Sequence, residues 1–441
     1  MRPKLAATAT LAVALLGLAG GTGPAQATPS GAVAQATPSG AGAGAIDPLV
    51  PGSPQTCAGS WNQVSDPYPL VDPPEARGIG SGVGTVSKND VWFAALGANP
   101  LFAGNYLQLQ HYDGHTVSEV DSPRIGSAAD TLELNNGLDL MSFDSPSDGW
   151  VVGNYLMNEE VLLDDAAARQ VFPYHAVVKH WNGHRWILTP IQLQPDARFG
   201  GGVAKSVLAL SPSDAWLVGT SGSDTLHALI EHWDGHRWLI ASQPAAALTN
   251  SIFYSVAGTS TRDIWAVGRY FTAAGTERAL IAHWDGRVWT VVPIPDTGDT
   301  LAALTGVSAR TTTDVWAVGS RRAAVSAQHA ISLVLHWDGH SWSQAAGPDQ
   351  PGSDSNLVSV RAFGRDDVYT TGFAGLQHWD GTAWSTPTIA GEPSWGDAYR
   401  ALGGTGPTDV WAAGSAHTYS VLAGGGVDQN RLAHLCTPTH H

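Results

Sequence analysis

Two short phrases alternate along almost the whole chain, and a chain built that way folds as a row or ring of equivalent units. The first, Asp-x-Trp-x-x-Gly or a near variant, places an aromatic residue at Trp92, Trp150, Trp216, Trp265, Trp316, Tyr369 and Trp411. The second, His-Trp-Asp-Gly or a near copy, begins at His111, His180, His232, His283, His336 and His378. A further copy starts at His434 and breaks off as His434-Leu435-Cys436. Successive marker aromatics lie 58, 66, 49, 51, 53 and 42 residues apart.

Each unit reads as four short strands. In one of them these are 304–309, 314–319, 333–337 and 342–345. The segments are β-branched and aromatic with Gly and Pro every few residues, which disfavours helices. Asp-Gly or Asn-Gly between the third and fourth strands predicts a tight hairpin whose two turn residues both tolerate positive φ. A four-stranded sheet repeated at this spacing predicts an all-β chain, a β-propeller of seven four-stranded antiparallel blades. The last unit lacks its fourth strand. The stretch Cys57-Ala58-Gly59-Ser60-Trp61-Asn62-Gln63-Val64 matches that strand and predicts closure of the ring by the N-terminal segment, which removes the open edges of a partial ring. Cys57 and Cys436, the chain's two cysteines, then flank the join, and a disulfide between them is expected.

The ends and the charge narrow the function classes. The net charge of −16 argues against nucleic acid, whose phosphates need a basic surface. Arg2 and Lys4, the apolar run 5–20 and Ala25-Gln26-Ala27 read as an export signal over 1–27, with a second cleavage site at Ala34-Gln35-Ala36. Residues 28–54, rich in Ala, Gly, Pro, Ser and Thr, read as a flexible linker. The propeller is expected over 55–437 and a short tail over 438–441. No later stretch is long and apolar enough to span a membrane. A secreted, extracellular monomer is the expectation.

Asp314-Val315-Trp316-Ala317-Val318-Gly319 followed by His336-Trp337-Asp338-Gly339-His340-Ser341-Trp342 resembles a group of exported bacterial β-propellers, grouped loosely with kelch and galactose-oxidase-type propellers. The resemblance covers 57–436 and implies the propeller fold. It assigns no activity. A Gly-His dipeptide does not recur upstream of the Trp-Asp pair as it does in WD repeats, and the paired-glycine strand of kelch repeats is absent.

Residues in register with the repeat are expected to be framework. That accounts for 17 of the 18 tryptophans, leaving Trp395, and for the histidine of each third strand, expected to bond to neighbouring turns. The first-to-second and third-to-fourth turns are short and alike. The other connections vary in length, lie on the opposite face, and are where a site is expected, because varied loops on a rigid scaffold carry binding residues. Candidate ligand-binding residues are Trp395, Asp397, Tyr399, Tyr155, Tyr174, Tyr270, Phe271, Tyr106, Glu159 and Asp164. Their aromatic rings suit stacking on sugar faces, and their carboxylates suit accepting hydroxyl hydrogen bonds. This predicts a non-catalytic module for an extracellular glycan or a cell-surface or secreted protein, with no cofactor and no metal. The second reading is an exported carbohydrate-active hydrolase or lyase using loop carboxylates, since such pairs come from separate loops. Catalytic residues are not identifiable.

Overall fold

The second strand of each unit is buried on both sides, as in Asp214–Ser221, where seven of eight residues are inaccessible. A strand of that kind needs a sheet covered on both faces. In the computed structural model each unit forms such a sheet, and the seven sheets pack against one another. The structure describes residues 60–64, 77–99, 104–123, 131–134, 140–157, 174–192, 202–222, 225–242, 245, 248, 250–296, 298–299, 301–322, 327–350, 352–390, 398–420 and 425–436, with only the backbone at several strand ends. The expected signal and linker, Cys57, Glu159, Asp164, Trp395 and Asp397 lie outside these residues. Among the described residues no helix is long and apolar enough to cross a membrane.

Blade 3 shows the pattern: an inner strand Gly202–Ser211, a second strand Asp214–Ser221, a third His227–Trp233 and an outer Trp238–Ile240, antiparallel throughout. Blade 2 differs in that its inner strand comes in two pieces, Thr131–Leu134 and Met141–Ser145. The ring closes as expected, with Ser60–Val64 pairing antiparallel to Gly425–Cys436 as the outer strand of blade 7. Ile389–Ala390 adds a fifth, parallel strand outside it.

The repeated residues build one unit seven times. The third-strand histidine directs Nε2 at Oδ1 of the aspartate that opens the second strand, at 2.6 to 2.9 Å in every blade from His111–Asp90 to His434–Asp409. Facing a carboxylate, that nitrogen donates. In blades 1, 3, 4 and 5 the marker tryptophan's Nε1 donates to the same oxygen. Each imidazole also lies on the marker ring, with centroids 3.8 to 4.5 Å apart. The histidines are therefore structural, as expected, and their shared partner is the aspartate ending the first turn.

Aromatic rings also fill the joints between blades. Trp92, Trp150, Trp216 and Trp265 each meet edge-on the outer-strand tryptophan of the following blade, Trp186, Trp238, Trp289 and Trp342, at 4.9 to 5.5 Å. Those outer-strand indole N–H groups find no oxygen acceptor among the described residues, and the neighbouring ring face is the partner that edge-on geometry offers. Trp61 meets Tyr369, and Trp411 packs on Phe93 and Tyr112 where blade 7 joins blade 1.

The repeat glycine has a steric cause. A Cβ at Gly219, Gly268, Gly319 or Gly372 would sit 1.9 to 2.1 Å from a carbonyl oxygen of the inner strand. At this point each of these four inner strands carries a β-bulge, which brings its backbone close.

The hairpin expectation needs correction. The third-to-fourth connection is a four-residue loop, as in 234–237 between the paired Trp233 and Trp238. Only its glycine has positive φ, as at Gly235 (91°) and Gly339 (99°). The aspartate stays at negative φ because its Oδ1 accepts the next two free N–H groups, at 2.9 Å each for Asp234. A side-chain cap thus replaces the second left-handed residue. Such caps hold the exposed Asp113 and Asp338 carboxyls below the usual range, and at Asp380 a hydrogen bond from the Thr382 hydroxyl, with the cap, brings it to about 2.

One buried group opposes the fold. Glu231, on the third strand of blade 3, is 0% exposed. Its Oε2 accepts the Gln192 N–H at 3.0 Å, while its Oε1 has no partner. Burial pushes its carboxyl from 4.5 up to about 8. Between those two values the folded chain keeps a proton that the unfolded chain has lost, so stability falls as pH rises, by about 1.4 kcal/mol per unit at most. Glu231→Gln should remove this slope, with a denaturation midpoint gain that is small at pH 4.5 and large at pH 8.5. An equal gain at both pH values would show that Glu231 does not hold that proton.

Candidate functional site

Antiparallel order puts the first-to-second and third-to-fourth turns at one end of every blade and the varied connections at the other. An axial cavity of about 140 Å³ is lined by the inner strands of all seven blades. Seven residues in the same register, Val83, Met141, Val207, Val256, Val307, Val360 and Leu402, form an aliphatic ring within it. One register step on come Ser142, Leu208, Ala257, Ser308 and Arg361.

On the varied face, blades 4 and 5 carry a guanidinium cluster. Arg269, directly after the repeat glycine, donates from Nε to the Tyr254 hydroxyl at 2.9 Å and lies 3.3 Å from Glu277. Its Cζ stands 4.9 Å over the Phe271 ring, a cation–π geometry. Arg321 reaches both oxygens of buried Asp299 at 3.2 and 3.1 Å, while Arg278 donates to the Asp299 carbonyl. Arg322 lies 3.8 Å from Asp354. In blade 6 the shortest of these connections holds Phe373 out at 71% exposure, the highest among the exposed large hydrophobic residues described.

The expected site residues fare differently. Tyr270 and Phe271 end the second strand of blade 4, half-buried beside Arg269. Tyr106, Tyr155 and Tyr174 fall in strand backbone toward the varied face, with side chains outside the description. Tyr399 is a correction. It pairs with Gly414 on the inner strand of blade 7, in the register of Ala204, Phe253, Leu304 and Leu357, and is 2% exposed. A ring opposite the repeat glycine is core and offers no face to a ligand. Register separates the tryptophans and histidines into framework and remainder but does not do so for arginine or phenylalanine, so Arg269, Arg321, Arg322 and Phe373 do not stand out in the sequence. The arginines stand one to three places after the repeat glycine.

Away from that face, blade 2 varies the framework. In blades 4, 5 and 7 a donor, Thr259, Arg310 or Thr405, meets the second oxygen of the repeat aspartate. Blade 2 has Asp144 in that register, and burial together with neighbouring Asp148 pushes its carboxyl up to about 6. Asp148 itself is raised by burial but held below the usual range on balance, chiefly by the His180 hydrogen bond.

No protein-family model matches the chain, and no curated protein matches it. Solved structures do. The chain is similar to the structure described as YCF48 bound to D1 peptide, at 13% identity and a TM-score of 0.52, covering 88% of this chain and 100% of that one. A second is YCF48 from Cyanidioschyzon merolae, at 14% identity and a TM-score of 0.49, covering 85% and 98%. A third is the SapL1 lectin in complex with alpha methyl fucoside, at 13% identity and a TM-score of 0.42, covering 72% and 97%. The first of these supports the class of the fold, a β-propeller.

Proposed function

We propose that the chain is an exported, non-catalytic binding module that recognises an extracellular glycan or a cell-surface or secreted protein through its varied face. Its affiliation with the exported bacterial propellers of the same repeat, and a monomeric state, belong to this proposal. The observation that carries it is Phe373, a large apolar side chain held out from a minimal turn on a rigid frame. An exposed aromatic costs solvation unless a partner covers it, and such anchors dominate binding energy. Phe271, stacked with Arg269, offers a second aromatic and polar contact on the same face.

Binding should be measured against a panel of polysaccharides, cell-wall fractions and surface-protein extracts, with wild type beside Phe373→Ala and Phe271→Ala. The expected result is saturable binding to one class, weakened about tenfold or more by Phe373→Ala at unchanged thermal stability. Unchanged affinity in both variants would remove this face from the account. Release of soluble sugars during incubation would instead favour the hydrolase or lyase reading.

A further inference from the structure

Where blades 4 and 5 meet on the varied face, three guanidiniums share two carboxylates. Arg269 has Glu277 at 3.3 Å and the Tyr254 hydroxyl at 2.9 Å. Asp299, 3% exposed, gives both carboxylate oxygens to Nη1 of Arg321. Arg278 is the remaining cation. It donates to the main-chain carbonyl of Asp299 and makes no ion pair among the described residues. The repeat does not call for it: it pairs in register with Tyr270, and the equivalent third-strand positions of blades 3 and 5 hold His227 and Ile331. Asp296, in the same connection as Asp299, is exposed, accepts the Gly298 N–H at 3.0 Å and pairs with none of the three.

A guanidinium carries five N–H donors in one plane, and its paired edge matches the two oxygens of a carboxylate. In Arg278 one donor is used, and neither Nε nor Nη2 is sealed from solvent. In Arg321 the Nε is buried without an acceptor among the described residues, while Nη2 is open to solvent. The bond to the Asp299 carbonyl holds Arg278 in place, so little side-chain entropy is left to lose on binding. Phe271, opposite Glu277 in register and 4.9 Å from the Arg269 Cζ, sets an aromatic ring beside these donors. An apolar ring next to an unpaired guanidinium matches a sugar that carries a carboxyl group. One unbalanced charge suits one carboxylate. A dense polyanion would meet the −16 of the whole chain and be repelled.

We propose that the varied face recognises a glycan bearing spaced uronic acid residues, with the carboxylate of one such residue held by Arg278 and the outer nitrogen of Arg321, and its ring against Phe271. This names the ligand class for the binding reading given above and rests on it. Arg278 supplies the selectivity for the acid over the neutral sugar, because its charge-assisted hydrogen bonds need the ionised carboxyl. Arg321 is chiefly a positioning residue, since its pair with Asp299 fixes the carbonyl on which Arg278 rests.

The test is titration calorimetry of the full chain with glucuronoxylan and gum arabic, each beside the same polymer with its carboxyls reduced to alcohols. At least one acidic form should bind about tenfold or more tightly than its reduced form, the scale of a hydrogen bond to a charged group. Arg278→Gln should abolish that preference at an unchanged denaturation midpoint, because Asp299 keeps its Arg321 pair. Arg278→Lys, which keeps the charge and loses the fork, should restore only part of it. If Arg278→Gln does not fold, acidic against reduced polymer on the wild type still decides. Equal affinity for acidic and reduced forms overturns the carboxylate inference, and the binding reading of the face survives if Phe373→Ala weakens both forms alike. Preference for a glutamate–alanine copolymer over both glycans overturns it in favour of an acidic peptide. Absence of binding to both acidic glycans overturns it as well, and the reading of the face then rests on the wider panel and Phe373→Ala.

Discussion

Asp314→Ala should lower the unfolding free energy by about 3–5 kcal/mol, the loss expected when one partner of a buried ionic pair is removed. Asp314 is 1% exposed. Its Oδ1 accepts from His336 at 2.7 Å and from Trp316 at 3.2 Å, and its Oδ2 accepts from Arg310 at 2.6 Å. Truncation strands three donors at once, two of them in a buried joint. Asp314→Asn keeps an acceptor and should cost clearly less. Burial alone would raise this carboxyl, but the Arg310 and His336 hydrogen bonds outweigh it and hold it below the usual range. The sign follows: the folded state favours the ionised form, so this stabilisation is present above the ordinary 3.8 and is lost as pH falls below it. Asp263 and Asp409 are held down in the same sense by His283 and His434 against the upward push of burial. Acid should therefore unfold the wild type more steeply than Asp314→Ala. Denaturant titrations at pH 7 and pH 3 measure both effects, and a loss under about 1 kcal/mol at pH 7 would show that the repeat unit tolerates an empty corner.

The second large effect concerns the join. Cys436 is buried and pairs in register with Ser60. Cys57 stands three residues before Ser60 in sequence. Pairing of Cys57 with Cys436 predicts that unreduced, denatured protein titrates no free thiol. It also predicts that reduction lowers stability by up to about 5 kcal/mol, because the closed loop spans nearly the whole ring. Cys57→Ser and Cys436→Ser should each reproduce that loss, and reduction should add nothing to either variant. Two titratable thiols in unreduced protein would sink the pairing, leaving the closure to strand pairing alone.

The fold was legible because the repeat is over-determined. Each Asp, His, Trp and Gly recurs at one register, and each has a contact that only that register supplies. Even the closing strand could be read, since Trp61 falls where Trp342 falls in its own blade. The hairpin was misread because Asp-Gly has two ways of closing a turn. The side-chain cap at Asp234 and its equivalents is invisible in a two-residue word. The site was legible only in part. Varied connections share no register, so nothing in the sequence separates a ring that is held out from one that turns in. Tyr399 follows a long connection and looked like a loop aromatic, but the inner strand begins at Ala398 and carries it into the core. Phe373 looked like part of a minimal turn, and that shortness is what keeps it from folding back.

The closure has a consequence for the order in which this chain acquires structure. The segment Ser60–Val64 is made early, yet its partner strand Gly425–Cys436 is made last. As the chain emerges N-terminus first, that segment has no sheet to join until six blades and most of a seventh exist. Local hairpins in each blade form without it, so the slow event is the meeting of two ends far apart in sequence. Until they meet, the third strand of blade 7 presents an open edge, the place where one nascent chain would pair with another. Refolding yield should thus depend on protein concentration more strongly than the stability of the finished ring would suggest.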